Sequence, residues 1–579
     1  MSRRSARTEN QRSSRPVAPS PPASLTPAGP APRPAWLRRA ILVLTALLLL
    51  GWFAIPFTDS DTWWHLKTGE YIVQHHALPI PDPFAYTTYS QPPLSHGEAL
   101  ARDFNLTHSW LGQVVFYLAW AVAGFPGVIL LRGLLLSAFA GLVGLIVFRR
   151  TGGFYRALGA AIAAAGVATF STADRPFLFT YLLLALTMAI LEYRRGWWVL
   201  VPLFALWANL HAGFFMGWVM VGCYCAESLY LRWRGKPRPD ERRLWLVSAA
   251  SILASGLNPN GFRFLEVLVA YRNSPMQAQL LEWQHPRFWE PSWYSIVLWA
   301  ALVTLIVARL KVRLVDWLLF ALLAAASLEA VRNVTLMALI GPVVVFSHIG
   351  WKAAPRLVAE CAALALIAAG LAGEIGFRHA FELNAEMWPY PAGAADFLRA
   401  HHITGRLFNT YEQGGYWIWR LWPENRVFID GRALSETVYR DSMRIAFNAE
   451  GTPSGPGGPS GEDLLRQYGI DVIAMNCFQI NSGDVYLLPA SLADPSQKEW
   501  KLVYRDAQAV VFMRNPPAGV PVLNSLETLA SMGDQCSTVL DHTPWKPGCA
   551  RSLGQLYSRI GDSSNAARWL ATYRKYTGE

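Results

Sequence analysis

Two carboxylates stand just beyond the first long apolar segment of the chain, in the stretch Asp59-Ser60-Asp61-Thr62-Trp63-Trp64-His65-Leu66-Lys67-Thr68-Gly69-Glu70. Acids at the edge of hydrocarbon lose hydration, so such acids mark sites that bind or react. The same pair also suits the start of a helix, where acids cap free N–H groups and meet the positive end of the helix dipole. Both readings stay open on the residues alone.

The elements that position these acids follow from composition. Hydrophobic residues make up 53% of the 579 and charged residues only 16%. A soluble globular chain carries about 25% charged residues. The deficit lies in long apolar runs, which is the pattern of a polytopic membrane protein. The 25 Trp fit it too, because the indole ring favours the headgroup level. The net charge of +11 invites a nucleic-acid reading, but its placement argues against one. Arg3, Arg4, Arg7, Arg12, Arg15, Arg33, Arg38 and Arg39 crowd the N-terminus, and Arg149-Arg150, Arg194-Arg195 and Arg309 to Arg313 flank apolar segments. Basic residues in those places keep loops cytoplasmic.

The expected organisation has four parts. Residues 1–35 read as a disordered cytoplasmic tail. Residues 36–376 read as a transmembrane domain of 11 to 13 spans, with a long first outer loop over 58–110. Residues 377–515 read as a small extracytoplasmic α/β domain, with strands expected at 406–409, 426–430, 472–475 and 509–513. Residues 516–579 read as a helical tail ending in a tetratricopeptide-like hairpin. Cys536 and Cys549 would close a disulfide there if the tail is extracytoplasmic. The segment 61–75 has apolar residues at helical spacing and reads as a helix lying on the membrane surface. Basic-loop counting puts 172–176, 209–213, 258–292 and 329–332 on the outer side, but conflicts with two separate crossings between Trp110 and Arg149. The localisation expected is a bacterial inner membrane, with the N-terminus cytoplasmic.

A cytoplasmic N-terminus, one helix and then an outer loop that opens on paired acids resembles the plan of the C-type (GT-C) membrane glycosyltransferases, which take a sugar from a polyprenyl-phosphate carrier. The chain also resembles bacterial multi-spanning proteins of unassigned activity. That likeness rests on Asp61 to Glu70, on Ile80-Pro81-Asp82-Pro83-Phe84, on Trp207 to Gly213, on Gly414-Gly415-Tyr416, and on Phe428-Ile429-Asp430-Gly431-Arg432. The GT-C likeness implies that Asp61 is a general base, with Asp59 as its partner or as a ligand, with Asp61, of a divalent cation such as Mg²⁺ or Mn²⁺. The departing phosphate calls for cations and donors on the outer face, and Arg175, Arg332, Lys67, His211 and Asn209 are the candidates. Arg175 and Arg332 also suit plain anchoring to lipid headgroups. The chain departs from the GT-C pattern in three places. No Glu follows Asp61, residues 94–108 look like an insertion, and Ser109 stands where an acid is expected.

The expected function is transfer of a sugar from a polyprenyl-phosphate carrier to an envelope acceptor on the outer face. The expected partners are the bilayer, the lipid-linked sugar and an acceptor, with no nucleic acid. The alternative is a non-catalytic scaffold or polysaccharide-assembly partner that works through the soluble domain. The enzyme reading requires at least two of Arg175, His211 and Arg332, far apart in sequence, to converge on a cavity lined by Asp61 at the outer membrane surface.

Overall fold

A computed structural model describes residues 35–194, 196–272, 281–349, 357–447 and 458–578. The expected N-terminal tail therefore lies outside the described residues, apart from Ala35. The described chain is mostly helical, with one small sheet. Helix α1 (Ala35–Phe53) is followed by α2 (Thr62–His75), α3 (Tyr86–Ser90), α4 (His96–Thr107), α5 (Trp110–Thr151), α6 (Phe154–Ala168), α7 (Phe177–Tyr193), α8 (Leu200–Leu210) and α9 (Phe215–Trp233). Then come α10 (Glu241–Ala254), α11 (Phe264–Arg272), α12 (Trp293–Val307), α13 (Leu314–Glu329), α14 (Met337–His348) and α15 (Leu357–Phe377). Among the described residues six helical stretches are long and apolar enough to cross a bilayer, and three shorter apolar helices accompany them. The chain is a multi-pass membrane protein.

The bend in α5 bears on the topology conflict. Gly124 holds φ 61° and ψ −147°, which no helix contains, and Pro126 follows it. The two apolar segments read from the sequence are thus two arms of one broken helix. The first arm, residues 110–123, is about 21 Å long at 1.5 Å per residue, short of the ~30 Å hydrocarbon core. It packs against α2 instead. Residue 69 sits at that contact and must be glycine, because a Cβ there would strike the Gln113 carbonyl.

The loops sort onto two faces. Arg150, Glu192, Glu227, Arg313 and Asp316 meet at one end of the bundle, where Arg150 pairs with Asp316 at 2.9 Å and Arg313 with Glu192 at 2.8 Å. The loops after α1, before α7, after α8 and after α13 meet at the other end, together with the soluble domain. This is the grouping that basic-loop counting expects.

The soluble domain holds α16 (Ala392–Ala400), β1 (Leu407–Phe408), α17 (Gly414–Leu421), α18 (Glu436–Phe447), α19 (Gly461–Gln467), β2 (Val472–Met475), α20 (Leu487–Leu492), β3 (Lys501–Arg505) and β4 (Val510–Met513). The sheet order is β1-β2-β4-β3, with β1 parallel to β2 and the other pairs antiparallel. The strand expected at 426–430 is not one. Asn409 uses its side-chain amide there, accepting from the Phe428 N–H (2.9 Å) and donating to the Ile429 carbonyl (2.7 Å). Val427 makes an isolated bridge to Ala85, so one bridge and the Asn409 side chain take the place of a ladder. The tail is three helices, α21 (Glu527–His542), α22 (Gly548–Arg559) and α23 (Ser563–Thr577), and a Cys536–Cys549 disulfide joins the first two.

The soluble domain does not hang from a linker. One hydrophobic cluster holds Phe57, Trp63, Trp64 and Phe84 from the membrane half together with Tyr390, Tyr416, Trp417 and Val511. Trp63 is its hub, with Phe57, Tyr390 and Tyr416 edge-on at 5.0–5.1 Å. Helix α2 is therefore clasped between the first arm of α5 and α17, rather than lying open on a membrane surface. Helix α4 fills the apparent insertion and ties down the same junction, with Asn105 donating to the Arg432 carbonyl at 3.2 Å. At its centre the buried Arg432 pairs with Asp82 (2.7 Å) and Asp430 (2.6 Å). Removing the cation from a buried ion group strands its acids, at a cost of about 3–5 kcal/mol. Arg432→Met is expected to lower the unfolding temperature of the detergent-solubilised protein, as read by scanning fluorimetry. An unchanged midpoint would show the triad to be dispensable.

Candidate active site

Asp59 and Asp61 are held by a guanidinium from the turn that opens α7. Arg175 grips Asp59 with two parallel bonds, Nε to Oδ2 at 2.7 Å and Nη2 to Oδ1 at 2.6 Å. Its remaining nitrogen reaches Asp61 Oδ2 at 2.9 Å and Glu282 Oε2 at 3.5 Å. Glu282 in turn pairs with Arg332 at 3.3 Å. Three carboxylates and two guanidiniums thus form one chain of charge at the helix ends. The acids are not in open water, since the Asp59 and Asp61 side chains are 10% and 19% exposed.

The capping reading fails for Asp61, whose side chain makes no cap bond to α2. Asp59 accepts from the Thr62 hydroxyl at 3.2 Å, and the same hydroxyl reaches the Asp174 carbonyl at 3.0 Å. Asp174 itself is buried against Arg132 at 2.6 Å. Arg132 also donates to the Phe53 carbonyl (2.9 Å) and the Thr172 carbonyl (3.0 Å), so it locks the end of α1 to the loop that carries Arg175.

The soluble domain closes over Asp61. Gly431 lies so near that a Cβ there would collide with Asp61 Oδ1. The Tyr411 hydroxyl donates to the Gly431 carbonyl at 3.2 Å and holds that loop in place. Burial pushes the Asp61 carboxyl up to about 7, against the pull of Arg175 and with a further push from Asp59 and Glu282.

His211, Asn209 and Lys67 fall in different settings. The His211 ring lies 5.9 Å from that of His108, and its Nδ1 is 2.9 Å from the Thr180 hydroxyl. Its Nδ1 accepts from the Gly213 N–H at 3.0 Å, so its proton is on Nε2. His65, which accepts from Gln113 at 3.2 Å, is held neutral by burial and then by Arg175. Asn209 spends its amide as a bracket, accepting from Trp110 at 2.8 Å and donating to the Leu257 carbonyl at 2.7 Å. It lines an open hollow of about 650 Å³ with Ile72, His76, Trp110 and Leu257. Asp61 does not line that hollow. Lys67 is not brought to the acids. It pairs with Glu70 at 2.7 Å and lies over Trp419 at 5.1 Å.

The expected divalent ion meets a full site. Both oxygens of Asp59 and one of Asp61 are taken by Arg175, and among the described residues no three His, Cys, Asp or Glu side chains are grouped to hold a metal.

No protein-family model matches the chain, and no curated protein sequence matches it. Solved structures do. The archaeal oligosaccharyltransferase AglB from Archaeoglobus fulgidus, in complex with an inhibitory peptide and a dolichol-phosphate, superposes with a TM-score of 0.54 at 10% identity, over 94% of this chain and 86% of that one. The apo oligosaccharyltransferase of the same organism gives 0.51 at 10% identity, over 84% and 76%. The fold is similar to theirs over nearly the whole chain, the soluble domain included.

Sequence reasoning singled out Asp59, Asp61, Arg175 and Arg332, which are joined through Glu282, and His211, which bonds to Thr180 and Gly213 instead. It missed Glu282, which lies in a long loop of mixed composition with no motif to mark it. It noted Phe428-Ile429-Asp430-Gly431-Arg432 only as one of the segments that carry a likeness. The raised Asp61 carboxyl has a measurable consequence. A carboxyl raised in the folded state adds stability that is fully present below its unfolded value near 4 and is lost as pH rises through about 7. Infrared titration is expected to show a carboxylate band with a midpoint near 7 that vanishes in Asp61→Asn. A band titrating only near 4 would contradict it.

Proposed function

We propose that this GT-C-like protein moves a sugar from a polyprenyl-phosphate carrier to an acceptor of the cell envelope, on the outer face of a bacterial inner membrane. The observation that carries the reading is the joining of Asp61 to Arg175, Glu282 and Arg332 at a helix-end junction roofed by the soluble domain. The placement of the basic helix ends on the opposite face supports a cytoplasmic N-terminus. The Cys536–Cys549 disulfide supports an extracytoplasmic soluble domain, because such bonds persist in oxidising compartments.

The chemistry asks for two things. The acceptor must lose a proton as its nucleophilic atom attacks the anomeric carbon. The bond from that carbon to the phosphate oxygen must break, with its electron pair leaving on the lipid phosphate. Asp61 takes the proton. Its burial makes the carboxylate a stronger base than an acid in water. Arg332 receives the phosphate. Among the two cluster arginines it is the less committed, with Glu282 as its ion partner and the Trp283 face 4.5 Å away. Its remaining N–H donors form a fork suited to phosphate oxygens. Arg175 orients Asp61 and is spent on the acids.

A cell-envelope glycan and glycolipid comparison tests this. An Asp61→Asn strain is expected to show the same loss as a deletion strain, with the variant protein folded and inserted. In a purified assay the loss of a general base lowers the rate by about 10²- to 10⁴-fold, and Arg332→Gln is expected to raise the KM for the lipid-linked donor more than it lowers kcat. Normal glycans in Asp61→Asn, with a defect on deleting residues 391–579, would favour the scaffold instead.

A further inference from the structure

We propose that Arg175 is the resident cation of the acid cluster, so that Asp59, Asp61 and Glu282 work as a guanidinium cradle and not as a divalent-metal site. The inference concerns the cofactor requirement of the site assigned above and rests on that reading only for its role in transfer.

The argument starts from the donor set. A Mg²⁺ or Mn²⁺ ion at two aspartates needs their oxygens turned toward a single point near 2 Å away. Here both oxygens of Asp59 face the two parallel N–H bonds of Arg175, at 2.7 and 2.6 Å. Asp61 Oδ2 faces the third nitrogen of the same guanidinium at 2.9 Å. The oxygens are spread along a planar fork, which is the arrangement a guanidinium selects and a spherical ion does not.

Charge points the same way. The three acids already meet two fixed positive charges, Arg175 and Arg332, leaving one net negative charge when all three are ionised. A divalent ion added there would sit against Arg175 with too little carboxylate left to offset it. Although burial opposes its charge, Arg175 is kept protonated by Asp59 and Asp61.

The arginine is also built in. Its own N–H donates to the Ala173 carbonyl at 2.9 Å, and its carbonyl receives the Leu178 N–H at 3.2 Å, in the turn that opens α7. Asp174, one residue earlier, is buried on Arg132. The guanidinium is therefore delivered by a fixed turn, not by a free surface side chain. During transfer it holds Asp61 in place and supplies a positive charge, the task a metal would otherwise perform.

The test is direct metal binding, with no sugar donor present. Full-length protein in nanodiscs is stripped with EDTA, titrated with Mn²⁺, and the free ion is read by electron paramagnetic resonance. The wild type is expected to take up no Mn²⁺ that Asp61→Asn removes. Arg175→Gln, checked for folding by size-exclusion profile, is expected to gain a single Mn²⁺ site that is lost again in Arg175→Gln/Asp61→Asn. A wild-type Mn²⁺ site abolished by Asp61→Asn overturns the proposal. So does a folded Arg175→Gln that gains none. If Arg175→Gln does not fold, the wild-type titration decides alone. Because the readout needs no glycosyl substrate, it stands apart from the glycan comparison that tests the transferase reading.

Discussion

The structure depends on how it keeps charge at the border of an apolar bundle. Asp59 and Asp61 follow directly on a helix of continuous hydrocarbon character, and acids there are stable only when paired. Arg175 pairs them both. That single contact joins the end of α1 to the start of α7, more than a hundred residues on. Arg132 repeats the same tie one layer deeper, through Asp174 and the carbonyls at the end of α1. The site's geometry is thus a by-product of bundle assembly. Its acids are placed by the same arginines that make the helix ends tolerable.

A second constraint comes from the roof. The Asp61 carboxyl is covered by the backbone at Gly431, and that backbone is held by Tyr411 and by the buried Arg432 with its two aspartates. Arg432 reaches Asp82 in the loop between α2 and α3, so the membrane half and the soluble half share an ion group as well as a hydrophobic core around Trp63. The soluble domain is accordingly a wall of the site. Asp61–Glu70, Ile80–Phe84, Gly414–Tyr416 and Phe428–Arg432 all meet at this junction.

Much of this was legible, and the reasons it was legible are physical. Long apolar runs cannot be anything but buried or lipid-facing, so the membrane class follows from composition. Acids beside such a run demand partners, and Arg175 and Arg332 were among the few cations on the same face. The residues that escaped have no local signature. Glu282 is one acid in a mixed loop. The 426–430 segment has strand-like residues, yet Asn409 satisfies its backbone from the side. Lys67 lies on the same helix as His65, but faces Glu70 and the Trp419 ring, because the helix rotation sends it toward the soluble domain. The first arm of α5 is apolar enough to suggest a crossing, and only the break at Gly124 shows that it turns back.

By itself, then, the amino-acid order determined the membrane class, the relative sidedness of the loops, the pairing-capable cysteines and the acids that needed neutralising. These rest on hydropathy, charge and residue chemistry, which act over a few neighbours. Tertiary structure alone decided which cation meets which acid, that the oxygens of Asp59 and Asp61 are spread along a planar guanidinium, and that a glycine 370 residues away covers Asp61. Those outcomes depend on how helices cross and where the chain bends, and no stretch of sequence contains both partners of such a contact.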